Sequence, residues 1–390
     1  MPETSDVVVV EALRSPIGKR GGALSAMHPA VLLSEVQRAT IERAGIDAEQ
    51  VGQVIGGCVD QVGEQTQNVT RTAWLTADLP LTVAASTIDA QCGSSQQATA
   101  LAAALVGSRV VDVAMGCGVE AMSRVPMGAA LSGDYGDPIP ARYEEHYEST
   151  TQFEGAERIA KKWGITRADC DEFGLRSQQL AHQAYSQNRF AGQLVPIQAP
   201  IPGENGDGSS QLVDRDQGLR ETTLEALGAL KTVQPDGVHT AGSASQISDG
   251  ASAVLLARAE TASALGLSTR ARIVDSCLVG SDPELMLTGP IDATRTILER
   301  NGLTLKDIDV IEINEAFASV VLAWQRELDA DMERVNPNGG AIALGHPLGA
   351  TGAGLLTKAI HELERSDGTL ALVTMCCGGG LGTGMLLERV

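Results

Sequence analysis

Three side chains in this 390-residue chain stand out for the chemistry they could carry: Cys92 in Gln91-Cys-Gly-Ser-Ser95, His346 in Gly345-His-Pro347, and Cys376 in Met375-Cys-Cys-Gly-Gly-Gly380. Each lies at a turn beside a strongly apolar segment, as expected of reactive groups held at the ends of strands and helices. Two sulfurs and an imidazole suit one division of labour. One thiolate attacks a carbonyl, the imidazole moves protons, and the second thiol handles a carbanion.

Each residue also has a plainer reading. A thiol at the start of a helix faces unpaired N–H groups and the positive end of the helix dipole, which lowers its pKa and offers oxyanion donors. Cys92 is otherwise a small buried hydrophobe, the commoner fate of a cysteine. His346 is set apart from His28, His146, His182, His239 and His361 by its glycine-dense surroundings, Asn336 to Ala350. Glycines let backbone and substrate approach the ring, and Pro347 suits the opening of the next helix. For Cys376 a reactive thiol, a metal ligand and a redox pair compete. No Cys-x-x-Cys or His spacing supports metal, and a disulfide to the adjacent Cys377 would be strained. Asn314, in Asn314-Glu-Ala-Phe317, either holds a water or caps the helix that follows. Gly116-Cys-Gly-Val-Glu-Ala121 formally fits a dinucleotide fingerprint, but it comes late in its strand series and lacks a ribose-binding acid in context.

The elements that must position these residues form a duplicated pattern. In the first half, a strand at 7–12, a helix at 29–44 and a strand at 51–57 lead to the Cys92 turn. A helix at 95–106 and a strand at 110–115 follow, the strand ending in Gly116-Cys117-Gly118. In the second half, strands at 271–275 and 308–313 lead to the His346 turn. A helix at 349–363 and a strand at 369–374 follow, the strand ending in Met375-Cys376-Cys377. Cys92 and His346 thus occupy equivalent turns before a helix, and Cys117 and Cys376 equivalent turns after a strand. The alternation predicts α/β layers, with the two halves facing each other across a pseudo-dyad. That symmetry selects Cys376 over Cys377. Residues 120–248 have a different texture: Gly, Pro, Asp and Tyr around 133–140, amphipathic helices near 153–163 and 169–187, and polar turns at 202–210. They read as an insertion over the core, of the kind that binds substrate. The expected division is 1–119 with 249–268, 120–248, and 269–390.

Bulk composition narrows the partners. A net charge of −20 argues against nucleic acid or an anionic membrane surface. It leaves room for an anionic small molecule where a few basic residues converge. No apolar run approaches the ~18 residues of a membrane helix, and the first six residues lack signal-peptide features. Seven cysteines at scattered positions fit free thiols in a reducing cytosol, hence a cytoplasmic protein. The 43 glycines, about 11% against an average of about 7%, imply many tight turns and close approaches.

Taken together, Gln91–Ala98, Asn314–Phe317, Asn338–Pro347 and Cys376–Gly380 resemble the four signature blocks of the thiolase family, in order and over nearly the whole chain. The resemblance implies a five-layered α-β-α-β-α core of two βαβαβ-type halves with an inserted loop domain, and a homodimer or homotetramer. It implies no permanently bound cofactor, with coenzyme A as substrate. Carried over, Cys92 resembles the nucleophile, His346 its base, and Cys376 the acid/base at the acetyl-CoA methyl carbon. Asn314 resembles the holder of an oxyanion-hole water, and Gly378 N–H with Cys92 N–H the second oxyanion hole. Ser245, in Ala241-Gly-Ser-Ala-Ser245, and Phe317 resemble pantetheine contacts, and Met286 a pocket wall. Arg220 lies one residue from the register of the family's CoA-binding arginine. The implied reaction is cleavage of 3-ketoacyl-CoA by CoA, reversible in principle, in fatty-acid or steroid degradation. Rival readings are a biosynthetic acetoacetyl-CoA thiolase, a condensing acyltransferase (disfavoured by the second cysteine), and a non-catalytic CoA-ester carrier.

Overall fold

The computed structural model describes residues 6–131, 136–201 and 209–390. Parts of the 133–140 cluster and of the polar turns at 202–210 lie outside them, as does most of the N-terminal hexapeptide. Nine strands carry the core: β1 Val7–Arg14, β2 Gln53–Gly57, β3 Ala84–Ile88, β4 Val113–Ala121, β5 Ser248–Arg258, β6 Ala271–Gly280, β7 Val310–Ile313, β8 Leu370–Cys377 and β9 Leu381–Arg389. Their order in the sheet is β7-β8-β9-β6-β1-β5-β4-β2-β3.

The duplication is visible in that order. In the first half β2 runs parallel to β3 and β4, and β4, β5 and β1 alternate antiparallel. In the second, β7 is parallel to β8, and β8, β9 and β6 alternate antiparallel. The halves join where Val8 and Val9 of β1 pair with Arg272 and Ala271 of β6.

Eight main helices cover these strands: α1 Pro29–Ala44, α2 Val69–Thr76, α3 Ser94–Gly107, α4 Gln152–Lys162, α5 Arg167–Ser186, α6 Gly289–Asn301, α7 Ala318–Leu328 and α8 Leu348–Ser366. α1 packs outside the first half with α2, and α6 outside the second with α7. Between the halves lie α3 and α8, each touching strands of both. The layers are therefore α-β-α-β-α. Local chemistry sets the boundaries: His28 Nδ1 accepts the Ala30 N–H before Pro29 opens α1, and Gly45 closes it at φ 67°. Capping boxes Thr151–Glu154 and Thr166–Asp169 start α4 and α5.

Central helices buried between two sheets need small residues on both partners. A Cβ added to Gly116 would lie 2.5 Å from Thr99 Cα on α3, and one on Gly118 2.7 Å from Ser95 Cβ. This is why β4 differs from the expected strand. It begins at Val113, beyond the exposed Val110, and runs through Gly116-Cys117-Gly118 to Ala121. The glycines are not a turn but the floor on which α3 and α8 rest. The dinucleotide-like segment is therefore strand throughout. Two long strands, β5 and β9, complete the sheet without having been read from the sequence.

Candidate active site

Cys92 and His346 do occupy matching positions, each two residues before a central helix. The Cys92 turn is held by its neighbours. Gln91 adopts a left-handed conformation (φ 54°), and its N–H is taken by Asp89 Oδ1 at 2.7 Å. Ser94 Oγ donates to Gln91 O at 2.6 Å and accepts the Ala90 N–H at 2.9 Å. At the other turn Gly345 has φ 117°, a conformation closed to side chains. The His346 N–H donates to Ser248 Oγ at 3.1 Å.

The imidazole is oriented from both ends. Thr351 Oγ1 donates its proton to Pro347 O at 2.8 Å and lies 2.7 Å from His346 Nδ1. With that hydroxyl proton committed, Thr351 accepts from Nδ1–H, and the lone pair belongs to Nε2. Asn314 Nδ2 donates to this nitrogen across 3.3 Å. Burial pushes the His346 pKa down to about 4, so the ring is neutral at pH 7. Asn314 does not cap α7, whose N-cap is Phe317 without a side-chain bond. Its Oδ1 is buried with no hydrogen-bond partner, leaving one acceptor free for a water or a substrate group.

Burial raises the Cys92 thiol to about 11, against the opposing pull of the Gly378 backbone and its own. The expected depression at a helix start is not found. Cys92 lies before the first turn of α3 rather than within it, and desolvation opposes the thiolate. Cys92 therefore rests as a thiol.

Neighbours along β8, Cys376 and Cys377 point to opposite faces. Cys377 belongs to the central apolar cluster, and a Cβ on Gly93 would meet its sulfur at 2.6 Å. Cys376 is fully buried in the cluster that includes Ala316 and Phe317. Burial raises both thiols, and a charge on Cys92 raises them further. Cys117, the supposed counterpart, sits mid-strand at 3.6 Å from Gln37 Nε2 of outer helix α1, facing away from the site. Neither Cys117 nor Cys376 is at a turn.

Cys92 and His346 line one cleft of about 490 Å³, open solvent included, with Phe317, Ser245, Gln152 and Leu287 on its walls. Phe317 is braced edge-on by Phe153 at 5.4 Å and His239 at 5.2 Å. The Ser245 N–H donates to Ala316 O at 2.9 Å. Arg220 and Ala241 lie together at the exposed surface, Nη1 to O at 3.4 Å. Among the described residues no carboxylate pairs with Arg220. Met286 takes φ 59° and packs beside Gly155 of α4; the next residue, Leu287, lines the cleft instead. No cluster of His, Cys, Asp or Glu suited to a metal occurs among the described residues. Nor is any described helix long and apolar enough to cross a membrane.

Two residues of this neighbourhood were not read from the sequence. Thr351 carries no signal beyond its position one turn into α8. Glu120 carries one: a carboxylate inside an otherwise apolar strand, where only a specific set of donors would keep it.

Residues 7–260 match the model of the thiolase N-terminal domain, and residues 267–389 that of the thiolase C-terminal domain. The chain belongs to the thiolase family. This thiolase is 42% identical over 394 residues to the steroid 3-ketoacyl-CoA thiolase FadA6 of Mycobacterium tuberculosis, covering 99% of this chain and 95% of that protein. It is also 42% identical to the 3-oxoadipyl-CoA/3-oxo-5,6-dehydrosuberyl-CoA thiolase of Escherichia coli, covering 99% and 100%. Among solved structures, the Bacillus anthracis acetyl-CoA acetyltransferase superposes with a TM-score of 0.91 at 36% identity, covering 99% of both chains. Human mitochondrial 3-ketoacyl-CoA thiolase gives 0.89 at 33%, covering 99% and 100%. The thiolase is accordingly an acyltransferase that works on CoA esters, and its layered core is the thiolase fold.

Proposed function

We propose that this thiolase cleaves 3-ketoacyl-CoA with free CoA, in the degradative direction, through an acyl-Cys92 intermediate. One observation carries the reading: Cys92 and His346, from matching turns of the two halves, line one cleft together with Ser245 and Phe317. Cys92 gives its proton to His346 Nε2 and attacks the 3-keto carbon. The C2–C3 bond breaks, and Cys376 delivers a proton to the carbon of the departing acetyl-CoA. The imidazolium then passes its proton to the Cys376 thiolate as acetyl-CoA leaves, and the neutral His346 takes the proton of free CoA. The CoA thiolate attacks the acyl-Cys92 thioester, and the expelled Cys92 thiolate recovers that proton from His346. Oxygen develops negative charge in both halves. Gly378 N–H and Cys92 N–H serve the acyl-enzyme oxygen, and a water on Asn314 serves the other with His346. Such donors are worth about 3 kcal/mol each at comparable sites.

Ser245, Phe317 and the wall near Met286 would hold the pantetheine arm, with Arg220 and Ala241 nearer the CoA phosphates. The insertion 120–248 is the substrate-binding part in this reading. The protein works in the cytoplasm without a permanently bound cofactor, as a homodimer or a dimer of dimers. The half-exposed edge strand β3 and the exposed Leu81 beside it favour association. Names of relatives acting on steroid-derived and dicarboxylic 3-ketoacyl-CoA esters support a substrate larger than acetoacetyl-CoA.

Mass spectrometry after mixing with 3-ketoacyl-CoA should show the acyl adduct in the wild type and none in Cys92→Ala. An adduct that survives the substitution would refute the assignment. A panel of short, long, dicarboxylic and steroid-derived esters would rank the acyl groups; activity confined to acetoacetyl-CoA would favour the biosynthetic reading.

A further inference from the structure

Glu120, next to last in β4, is fully buried. Its Oε2 accepts the N–H of Val59 and of Gly349, both at 2.9 Å. Its Oε1 accepts the Asp60 N–H at 3.2 Å and Gln65 Nε2 at 2.7 Å, with the Cys58 thiol at 3.7 Å. Every group facing this carboxyl is a donor, an arrangement built for the anion. Burial raises its pKa, and the N–H donors offset only part of that rise.

Four of the five donors belong to the same half of the core as Glu120. Gly349 does not: it is the second residue of α8, three beyond His346. The N-cap of α8 is Pro347, which makes no side-chain cap bond. A first-turn amide of the helix that carries His346 is therefore satisfied by a carboxylate from the opposite half. The approach leaves no slack, since a Cβ on Gly349 would lie 2.8 Å from Glu120 Oε2 and 2.7 Å from Cys58 Cα.

We propose that Glu120 is a positioning residue for the reaction: by capping α8 across the boundary between the halves, it fixes the His346 turn against the Cys92 turn. This rests on Cys92 and His346 as the reacting pair, and goes beyond it in naming what holds them in register. The charge of Glu120 reaches Cys92 as well, alongside that of Asp89, and Asp60 adds to the field around Cys58 and Asp89.

Two substitutions separate position from charge. Glu120→Asp keeps the anion but withdraws it from the Gly349 N–H; Glu120→Gln keeps the reach and removes the charge. Both should lower kcat for thiolysis by at least about fivefold with KM for CoA within about twofold. The pH midpoint of Cys92 alkylation by iodoacetamide should fall in Glu120→Gln and stay in Glu120→Asp, Asp60 and Asp89 being common to both. A smaller loss of kcat in either variant, or a loss matched by a rise in KM, overturns the proposal, as does a midpoint that moves equally in both. Should neither variant fold, Gln65→Met, which removes the 2.7 Å donor together with the Gln65 bonds to Asp60 O and the Ala121 N–H, must still lower kcat without raising KM; an unchanged kcat there is equally fatal. Acylation of Cys92→Ala would instead sink the underlying reading, so the two failures are distinguishable.

Discussion

Asn314 and His346 meet at 3.3 Å, Nδ2 to Nε2, though they leave different elements: Asn314 follows β7, and His346 precedes α8. The amide gives one hydrogen bond to the ring and keeps Oδ1 unengaged in the protein interior. Such an orphan acceptor is tolerated in a buried place when something else occupies it during the reaction.

Asn314→Ala removes both the brace on the ring and the free acceptor. Loss of one oxyanion-stabilising group costs about 10²- to 10³-fold in kcat at comparable sites, and that range is expected here. KM should change little, because the amide serves the transition state more than the bound substrate. Steady-state thiolysis of acetoacetyl-CoA is the check. A variant retaining most of its kcat would remove Asn314 from the reacting oxygen.

Thr351 acts one step further back. Its committed hydroxyl proton makes it an acceptor for His346 Nδ1–H, which keeps the basic lone pair on Nε2. Thr351→Val preserves shape but loses that acceptor, so the ring is free to take the other tautomer. A loss of about 1–2 kcal/mol of transition-state stabilisation, roughly 5- to 30-fold in kcat, should follow. Thr351→Ser should restore most of it. Equal rates for Val and Ser would mean the hydroxyl does not set the tautomer.

Much of this geometry was legible because the duplication is written in the chain: Cys92 and His346 precede matching helices, and α1 covers the expected residues 29–44. What escaped was three-dimensional in origin. The glycines at 116 and 118 look like a turn until two central helices are laid against β4, where only a missing Cβ fits. Cys117 looked like a partner of Cys376 because spacing cannot tell which face of a strand a side chain takes. The acidity of Cys92 is not legible in the sequence for a related reason: position before a helix is local, whereas burial depends on the whole fold.

Acid should weaken the fold partly through His361, away from the cleft. Burial, with Arg270 nearby, pushes its pKa down to about 4 from a model-peptide 6.5. The unfolded chain then binds the proton first. Stability from keeping this ring neutral is full above pH 6.5 and is lost as pH falls towards 4, on the order of 3 kcal/mol in all. Glu312, raised to about 7 by burial, acts with the opposite sign over part of that range, so the whole-protein curve mixes the two. The difference between wild type and His361→Gln isolates the histidine. In urea titrations the gap in unfolding free energy should shift against the wild type as pH drops from 6.5 to 4; a gap independent of pH would show that His361 titrates normally.

Two glycines give opposite expectations for one and the same change. Gly354 lies in the interior of α8, half-buried, and a Cβ there meets nothing within 4 Å. Gly118, in β4, would direct its Cβ into Gly349 O and to 2.7 Å from Ser95 Cβ. Gly354→Ala gains helix propensity and should stabilise by about 0.5–1 kcal/mol. The unfolding temperature should rise by about 1–3 °C with kcat unchanged. Gly118→Ala must instead push α3 and α8 off the sheet, a strain of about 1–3 kcal/mol or more. Because those helices carry Cys92 and His346 at their starts, its kcat should fall along with its stability. Thermal unfolding and thiolysis measured side by side decide it: if Gly118→Ala were as stable and active as Gly354→Ala, the central helices would not rest on β4 as closely as this packing requires.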